Sequence, residues 1–273
     1  MLSGLRWLVF VVAALAMNFP VLVTFVTSLK TRAELSINPG LWVREPTLTN
    51  YQQLIDMADR FNLLGFLLNS TVASLIGALL PLIVALPAAY AMVRLGLGRR
   101  YLLPSVVNIR ALPLIIFALP IYMMYQQLNL LDTRIGLGLI LALVNLPLTL
   151  VLLVNAVGDV PVMLEEAARI DGARSIDILR YLIIPLSRSA LATTFIFGFI
   201  TAWNEYLFGL ILTTRSAMPM TVGASFFFAT SGGGVQWGVA AAVMMVGTLI
   251  PSVLGLLMYK RIGASLTAGA LKG

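Results

Sequence analysis

The chain contains a series of uncharged runs, each long enough to cross a lipid bilayer. Residues 7–29 contain no charged side chain, and the uncharged run at residues 216–259 is almost twice as long. A helix needs about 20 apolar residues to cross the hydrocarbon layer. Charged residues make up only 11% of the chain, against roughly 25% in soluble proteins. Lipid is therefore the solvent for most of this protein.

The uncharged runs predict six membrane-spanning helices and an all-α membrane protein. The first run is interpreted as a retained span, because it is too long for a signal-peptide core and no small-residue cleavage site follows it. Pro81 and Pro87 are expected to kink the second span. The polar segment at residues 30–62 is long enough to form a small cap between the first two spans. The predicted spans lie near residues 7–29, 68–92, 102–126, 135–157, 189–212 and 236–259, in a single transmembrane domain covering residues 1–273.

The distribution of basic residues predicts the orientation of these spans. Six spans place both termini on one side, and with the termini inside, the inner segments hold eleven of the 18 basic residues. Lys and Arg collect in cytoplasmic loops. Both termini are therefore expected to be cytoplasmic. This topology explains the net charge of +7, so nucleic acid is not needed as a partner.

The absence of Cys and His narrows the chemistry. The chain has no residue of either type, which excludes disulfides, zinc sites with Cys or His ligands, and nucleophiles activated by His. We expect no catalytic residues and no metal site.

A polar segment at residues 159–187 interrupts the pattern of spans. Its residues predict two short helices with a break: Pro161 suits a first helical turn, and Gly172 suits a helix end that needs a left-handed residue. Ser175 is a candidate N-cap for the second helix, which Pro185 should end. On these residues alone, a solvated amphipathic loop is an equally good interpretation.

The same segment resembles the EAA motif of ABC-importer permeases. The motif is Glu-Ala-Ala at residues 166–168, three further residues, Gly172, and an apolar stretch that ends at Pro185; Leu182 and Ile184 stand where the family has Ile and Leu. The longer form Glu-Glu-Ala-Ala-Arg-Ile-Asp-Gly-Ala resembles the sugar-importer branch, in particular the second permease of maltose- and trehalose-type systems. The resemblance covers nearly the whole chain, and further matches are Ser-Leu-Lys at 28–30, Asn-Ser at 69–70, Trp-Asn-Glu-Tyr at 203–206 and the C-terminal residues 266–273.

The resemblance implies a type I importer fold and a coupling helix seated on a separate ATPase. The implied partners are a second homologous permease, a dimer of ABC ATPase subunits and an extracytoplasmic sugar-binding protein, at the cytoplasmic membrane of a bacterium or archaeon. ATP and Mg²⁺ would bind the ATPase, and no cofactor is expected on this chain, which has no Walker sequence. The residues assigned to coupling are Glu165, Glu166, Ala167, Ala168, Asp171, Gly172, Ala173 and Pro185.

Recognition of a sugar needs hydrogen-bonding side chains and aromatic faces at membrane depth. Asn145 and Asn204 are the strongest candidates because each lies in a long apolar run. Aromatic belts at the membrane interface and Asn side chains that join helices are the competing interpretations. The full set of candidates is Asn108, Tyr122, Tyr125, Asn145, Trp203, Asn204 and Glu205.

Three further hypotheses remain open from the sequence. The outer loop Ser231, Gly232, Gly233 and Gly234 either reaches into the sugar-binding protein or is a plain flexible turn. Arg110 and Glu205, the two charges left in the membrane, either pair with each other or stand apart, with Glu205 facing a water-filled route. A permease for another polar solute is an alternative function, and a secondary transporter is a weaker one because Glu205 would be its only intramembrane carboxylate.

Overall fold

The computed structural model describes residues 2–57, 61–228 and 235–270, and in this part of the chain every regular element is helical. A π-helical turn (Leu179–Ile183) and a 3₁₀ turn (Phe226–Phe228) accompany the α-helices. The α-helices are α1 (Leu2–Ser28), α2 (Arg32–Ile37), α3 (Thr49–Asp56), α4 (Leu63–Arg94), α5 (Leu102–Arg110), α6 (Ile115–Gln127), α7 (Arg134–Gly158), α8 (Val162–Ile170), α9 (Ser175–Ile178), α10 (Ile184–Leu186), α11 (Arg188–Trp203), α12 (Leu207–Leu212), α13 (Met220–Ser225) and α14 (Trp237–Ala270).

Four of the described helices are long and apolar enough to cross a membrane without a break, and two bent pairs raise the number to as many as six. The unbroken candidates agree with the first, second, fourth and sixth predicted spans. They are Arg6–Ser28, Leu63–Arg94, Arg134–Gly158 and Trp237–Leu257.

The third span differs from its prediction as one helix over residues 102–126. The structure has α5 and α6, which are bent by 100° at the break between Arg110 and Ile115. Pro113 lies in this break. Proline has no N–H to donate and disfavours helical backbone at the preceding residue, so Pro113 accounts for the interruption.

The fifth span, predicted over residues 189–212, is also interrupted. Helix α11 ends at Trp203, and α12 begins at Leu207 after a non-helical turn. With 16 residues, α11 is too short to cross the membrane by itself. It is long enough only together with the preceding segment Ser175–Leu186, from which it is bent by 79°. The helix thus ends within the apolar run, at the polar residues Asn204 and Glu205.

The chain divides into two compact units, of which the first comprises Met1–Gly65 and Val222–Ile250. Its polar segment is built around buried polar groups. The ammonium group of Lys30, only 2% exposed, donates to the carbonyl oxygens of Asn38 and Gly40. The amide of Asn50 donates to the carbonyls of Ser28 and Lys30, at 2.8 Å each. These bonds fix the structure of the segment after the first span.

The second unit comprises Phe66–Thr221 and Pro251–Gly273, and α7 lies at its centre. Residues of α7 pack against α4 and α11 through closely approaching backbones. A Cβ added at Gly77 would lie 2.9 Å from the Cβ of Leu141 and 3.1 Å from that of Ala202. Small residues at such crossings let membrane helices pack closely, so these three helices form the core that carries the candidate site.

Candidate functional site

Helix α8 is the centre of the predicted coupling segment. It begins directly after Pro161, whose fixed φ suits a helix start, and ends at Ile170, with Asp171 as its C-cap. Gly172 then adopts a φ of +84°, as the sequence predicted. The N–H of Ala173 donates to the carbonyl of Ala168 at 2.9 Å, and that of Gly172 to the carbonyl of Arg169 at 3.0 Å. This pair of bonds is a Schellman motif, which gives α8 a defined end.

The two neighbouring glutamates of α8 differ in burial: Glu165 is buried and Glu166 is exposed. Glu165 is 2% exposed, and its carboxylate accepts a 2.6 Å charge-assisted hydrogen bond from Nε of Arg94. Glu166 is exposed. The prediction treated both carboxylates as charges for a partner surface; only Glu166 is accessible to one.

Four exposed residues of α8 lie on one side of the helix, and of these four only Glu166 is charged. Met163 and Ile170 are 78% and 87% exposed, and Ala167 between them is also exposed. Positions three, four and seven apart lie on one side of a helix. Met163, Glu166, Ala167 and Ile170 therefore form one accessible surface, which we call the α8 outer face. On the other side, Ala168 packs against the buried core cluster.

The segment after Gly172 departs from the prediction at both of its ends. The N-cap of α9 is Arg174, one residue before the predicted Ser175, and the carboxylate of Asp177 accepts from the backbone N–H of Arg174 at 3.0 Å. Pro185 lies inside α10, and the helical segment ends one residue later, at Leu186. The π-helical turn ends at Ile183, two residues before this proline. Because Pro185 has no N–H to donate, the regular ladder of hydrogen bonds cannot continue through it.

Asn145 joins three helices in the core of the second unit. Its side chain is 3% exposed, and its amide donates to the carbonyls of Gly77 in α4 and Gly198 in α11, at 2.9 and 2.8 Å. These contacts agree with the competing interpretation of Asn145 as a residue that joins helices. A role in substrate contact stays a prediction.

Trp203, Asn204 and Glu205 lie together at the break between α11 and α12. Trp203 is buried and stacks on Phe199, with ring centroids 5.8 Å apart. The exposed Asn204 donates its amide to the carbonyl of Ile200 in its own helix. The carboxylate of Glu205 accepts from the backbone N–H groups of Phe208 and Gly209 at 3.0 and 3.3 Å. It thus satisfies donors at the start of α12 that would otherwise be unpaired in lipid.

Of the remaining candidates, Tyr125 packs close to this break, in one buried cluster with Ala202 and Phe208. Asn108 and Tyr122 are exposed, and the buried Tyr125 donates its hydroxyl to the carbonyl of Gly136 at 3.0 Å. Arg110 ends α5 and forms no ion pair with Glu205, both being described residues. The predicted binding-protein loop, Ser231 to Gly234, lies outside the described residues.

Sequence reasoning missed a polar network at the predicted outer end of the second unit. The carboxylate of Asp132 accepts from the backbone N–H groups of residues 214–217 at 2.9 to 3.2 Å. Asn69 donates to the carbonyls of Ser216 and Met218 and accepts from Nε of Arg134 at 2.6 Å. Burial raises the pKa of Asp132, but the four N–H donors outweigh it and hold the pKa below its ordinary value. Its stabilising effect is therefore present at neutral pH and is lost as the pH falls.

Arg94 was also missed, because the sequence shows it only as one of several charges in a short loop. Asn69 and Lys30 were noted as matches to a family pattern, without their contacts. All three bond mainly to backbone carbonyls or to residues distant in sequence, which no local pattern reveals.

Comparison with known proteins places these features in context. The family described as "Binding-protein-dependent transport system inner membrane component" matches residues 77–267. The chain is 33% identical to the sulfoquinovosyl glycerol transport system permease protein SmoH of Agrobacterium fabrum, over 93% of this chain and 89% of that protein. It is 34% identical to the trehalose transport system permease protein SugB of Mycobacterium tuberculosis, over 93% and 92% of the two chains.

A solved structure shows the same fold. A chain of a bacterial ABC transporter involved in the import of the acidic polysaccharide alginate superimposes with a TM-score of 0.77, covering 95% of each chain at 20% identity. This likeness concerns the fold, and it confirms the predicted all-α architecture.

Proposed function

Because the chain belongs to the family of binding-protein-dependent transport system inner membrane components, we propose that it is the permease subunit of an ATP-driven sugar importer. In this role it forms half of the translocation pathway. The family is one of transport permeases and not of catalytic subunits, so we assign ATP hydrolysis to a separate ATPase subunit.

The α8 outer face is the observation that carries this proposal. Met163 and Ile170 are large apolar side chains that are mostly exposed, in a polar segment between two apolar ones. Exposed apolar surface rimmed by charge is typical of a site of protein–protein interaction. The ATPase is the partner that fits this surface, because a short helix with a defined end can transmit a rigid-body motion.

The substrate class follows from the named relatives. Their names include transport of sulfoquinovosyl glycerol, trehalose and diacetylchitobiose, all of which contain sugar units. The remaining partners are a second homologous permease and an extracytoplasmic binding protein, and the termini are cytoplasmic. The excess of basic residues in the predicted inner segments supports this orientation.

The test is to purify the assembled complex and measure its ATP hydrolysis with the binding protein across a panel of sugars. We expect one sugar or a small related group to stimulate hydrolysis when carried by the binding protein. Stimulation by an amino acid or an inorganic anion, with none by any sugar, would establish the alternative of a permease for another polar solute. ATP hydrolysis that is the same with and without the binding protein would contradict the proposal that the complex is an importer.

A further inference from the structure

Glu165 occupies an unusual position for a charged residue of a surface helix. Its neighbours Leu164 and Glu166 are exposed, whereas Glu165 is 2% exposed. Successive residues of a helix point about 100° apart, so Glu165 and Glu166 cannot serve the same surface. The carboxylate of Glu165 is therefore directed into the permease itself.

Arg94 holds that carboxylate and two further groups. Its Nε lies 2.6 Å from Oε1 of Glu165. Its Nη2 donates to the carbonyls of Val157 and Val160, at 2.9 and 2.6 Å. Arg94 is the last residue of α4, and Val157 lies in the last turn of α7. One guanidinium group thus joins the ends of two membrane-spanning helices to α8.

A second contact between the same elements lies one turn away. Arg169 of α8 donates to the hydroxyl of Tyr90 of α4 at 3.4 Å. Tyr90 belongs to the buried core cluster against which Ala168 packs. Helix α8 is therefore fixed to α4 at two points one turn apart, in its middle and in its last turn.

The chemistry of this site favours arginine. Its planar, permanently charged fork can donate several hydrogen bonds in fixed directions, which the compact ammonium group of lysine cannot. Because the side chains of Arg94 and Glu165 are 9% and 3% exposed, removal of either would leave the other charge buried without its partner.

From this geometry we propose that Glu165 and Glu166 have separate tasks, a division that rests on the proposed function. Glu165, held by Arg94, anchors α8 to the ends of α4 and α7, while Glu166 on the α8 outer face meets the ATPase. Arg94 and Glu165 are positioning residues: they make α8 and the two spans move as one body when the ATPase displaces α8. Without the anchor, part of that displacement is absorbed by movement of α8 against the spans.

The experiment compares Glu165→Gln and Arg94→Gln with the matched controls Glu166→Gln and Arg99→Gln in reconstituted complexes. Both controls remove a charge at an exposed position. Sugar transport and ATP hydrolysis are measured in the same vesicles, per assembled complex. We expect each anchor variant to lower the sugar transported per ATP by about fivefold or more, the lower end of typical couplings between sites. Arg99→Gln should leave this ratio unchanged, and Glu166→Gln should lower hydrolysis and transport together.

The double variant Arg94→Gln/Glu165→Gln should be no worse than either single variant, because no unpaired buried charge remains. If Glu165→Gln reduces assembly, Arg94→Lys must lower the amount of sugar transported per ATP, because lysine keeps the positive charge but lacks the planar guanidinium group. An unchanged ratio in both anchor variants, or additive effects in the double variant, would overturn the proposal. A wild-type complex that transports no sugar would instead refute the proposed function.

Discussion

At the scale of single residues, polar side chains in the second unit join helices by bonding to backbone carbonyls and N–H groups. Asn145 donates to carbonyls of two neighbouring helices, and Glu205 accepts from N–H groups at the start of α12. Polar groups in lipid have no water to bond with. Such residues therefore stabilise the fold even where a sequence-based interpretation makes them candidates for substrate contact.

We expect Asn145→Leu to destabilise the protein without changing its preference among sugars. The substitution keeps the number and branching of the side-chain heavy atoms but removes two interhelical hydrogen bonds, which in membranes average about 0.6 kcal/mol each. The free energy of unfolding should fall by about 1 kcal/mol, measured by thermal unfolding of the purified complex. Asn155→Leu, at an exposed position of the same helix, is the control. An altered sugar preference with unchanged stability would make Asn145 a substrate contact.

At the scale of elements, α8 depends on the left-handed residue that ends it. A Cβ added at Gly172 meets no atom within 4 Å, so the φ of +84° and not a lack of space requires glycine. A side chain in this conformation costs about 1 kcal/mol, and Asn tolerates it better than most residues.

Gly172→Ala should therefore lower sugar transport by up to about fivefold, the factor that corresponds to 1 kcal/mol. Gly172→Asn should retain more activity than Gly172→Ala, as measured by uptake into vesicles. Gly158→Ala is the control, because that glycine also has open space but ordinary helical backbone. Equal activity of all three variants would show that the end of α8 does not matter for coupling.

The sequence predicted those elements that are determined by residues close together in the chain. Long uncharged runs identified four unbroken spans, and the requirement for φ > 0 identified Gly172. The break in the third span was missed because a proline alone does not predict one: Pro81 and Pro87 lie inside the unbroken helix α4. The inward direction of Glu165 was missed for a different reason: its partner, Arg94, lies 71 residues away in sequence.

At the scale of the whole molecule, the predicted orientation can be tested with single thiols, since the native chain has no Cys. Arg99→Cys and Arg174→Cys should be protected from a membrane-impermeant thiol reagent added outside intact cells, and Glu45→Cys should react. All three positions are exposed on the chain, so protection reports the side of the membrane. Reaction of Arg174→Cys from outside would reverse the orientation.

Photo-crosslinking from single thiols can show whether the α8 outer face contacts the ATPase, as we propose. A thiol-reactive photo-crosslinker is attached at Met163→Cys, at Ile170→Cys and, as a control, at Trp42→Cys, which is 79% exposed in the first unit before substitution. In complexes that still transport sugar, illumination should join positions 163 and 170, but not position 42, to the ATPase subunit. Crosslinking of position 42 to the ATPase, or none from positions 163 and 170 in an intact, transporting complex, would show that the α8 outer face does not meet the ATPase.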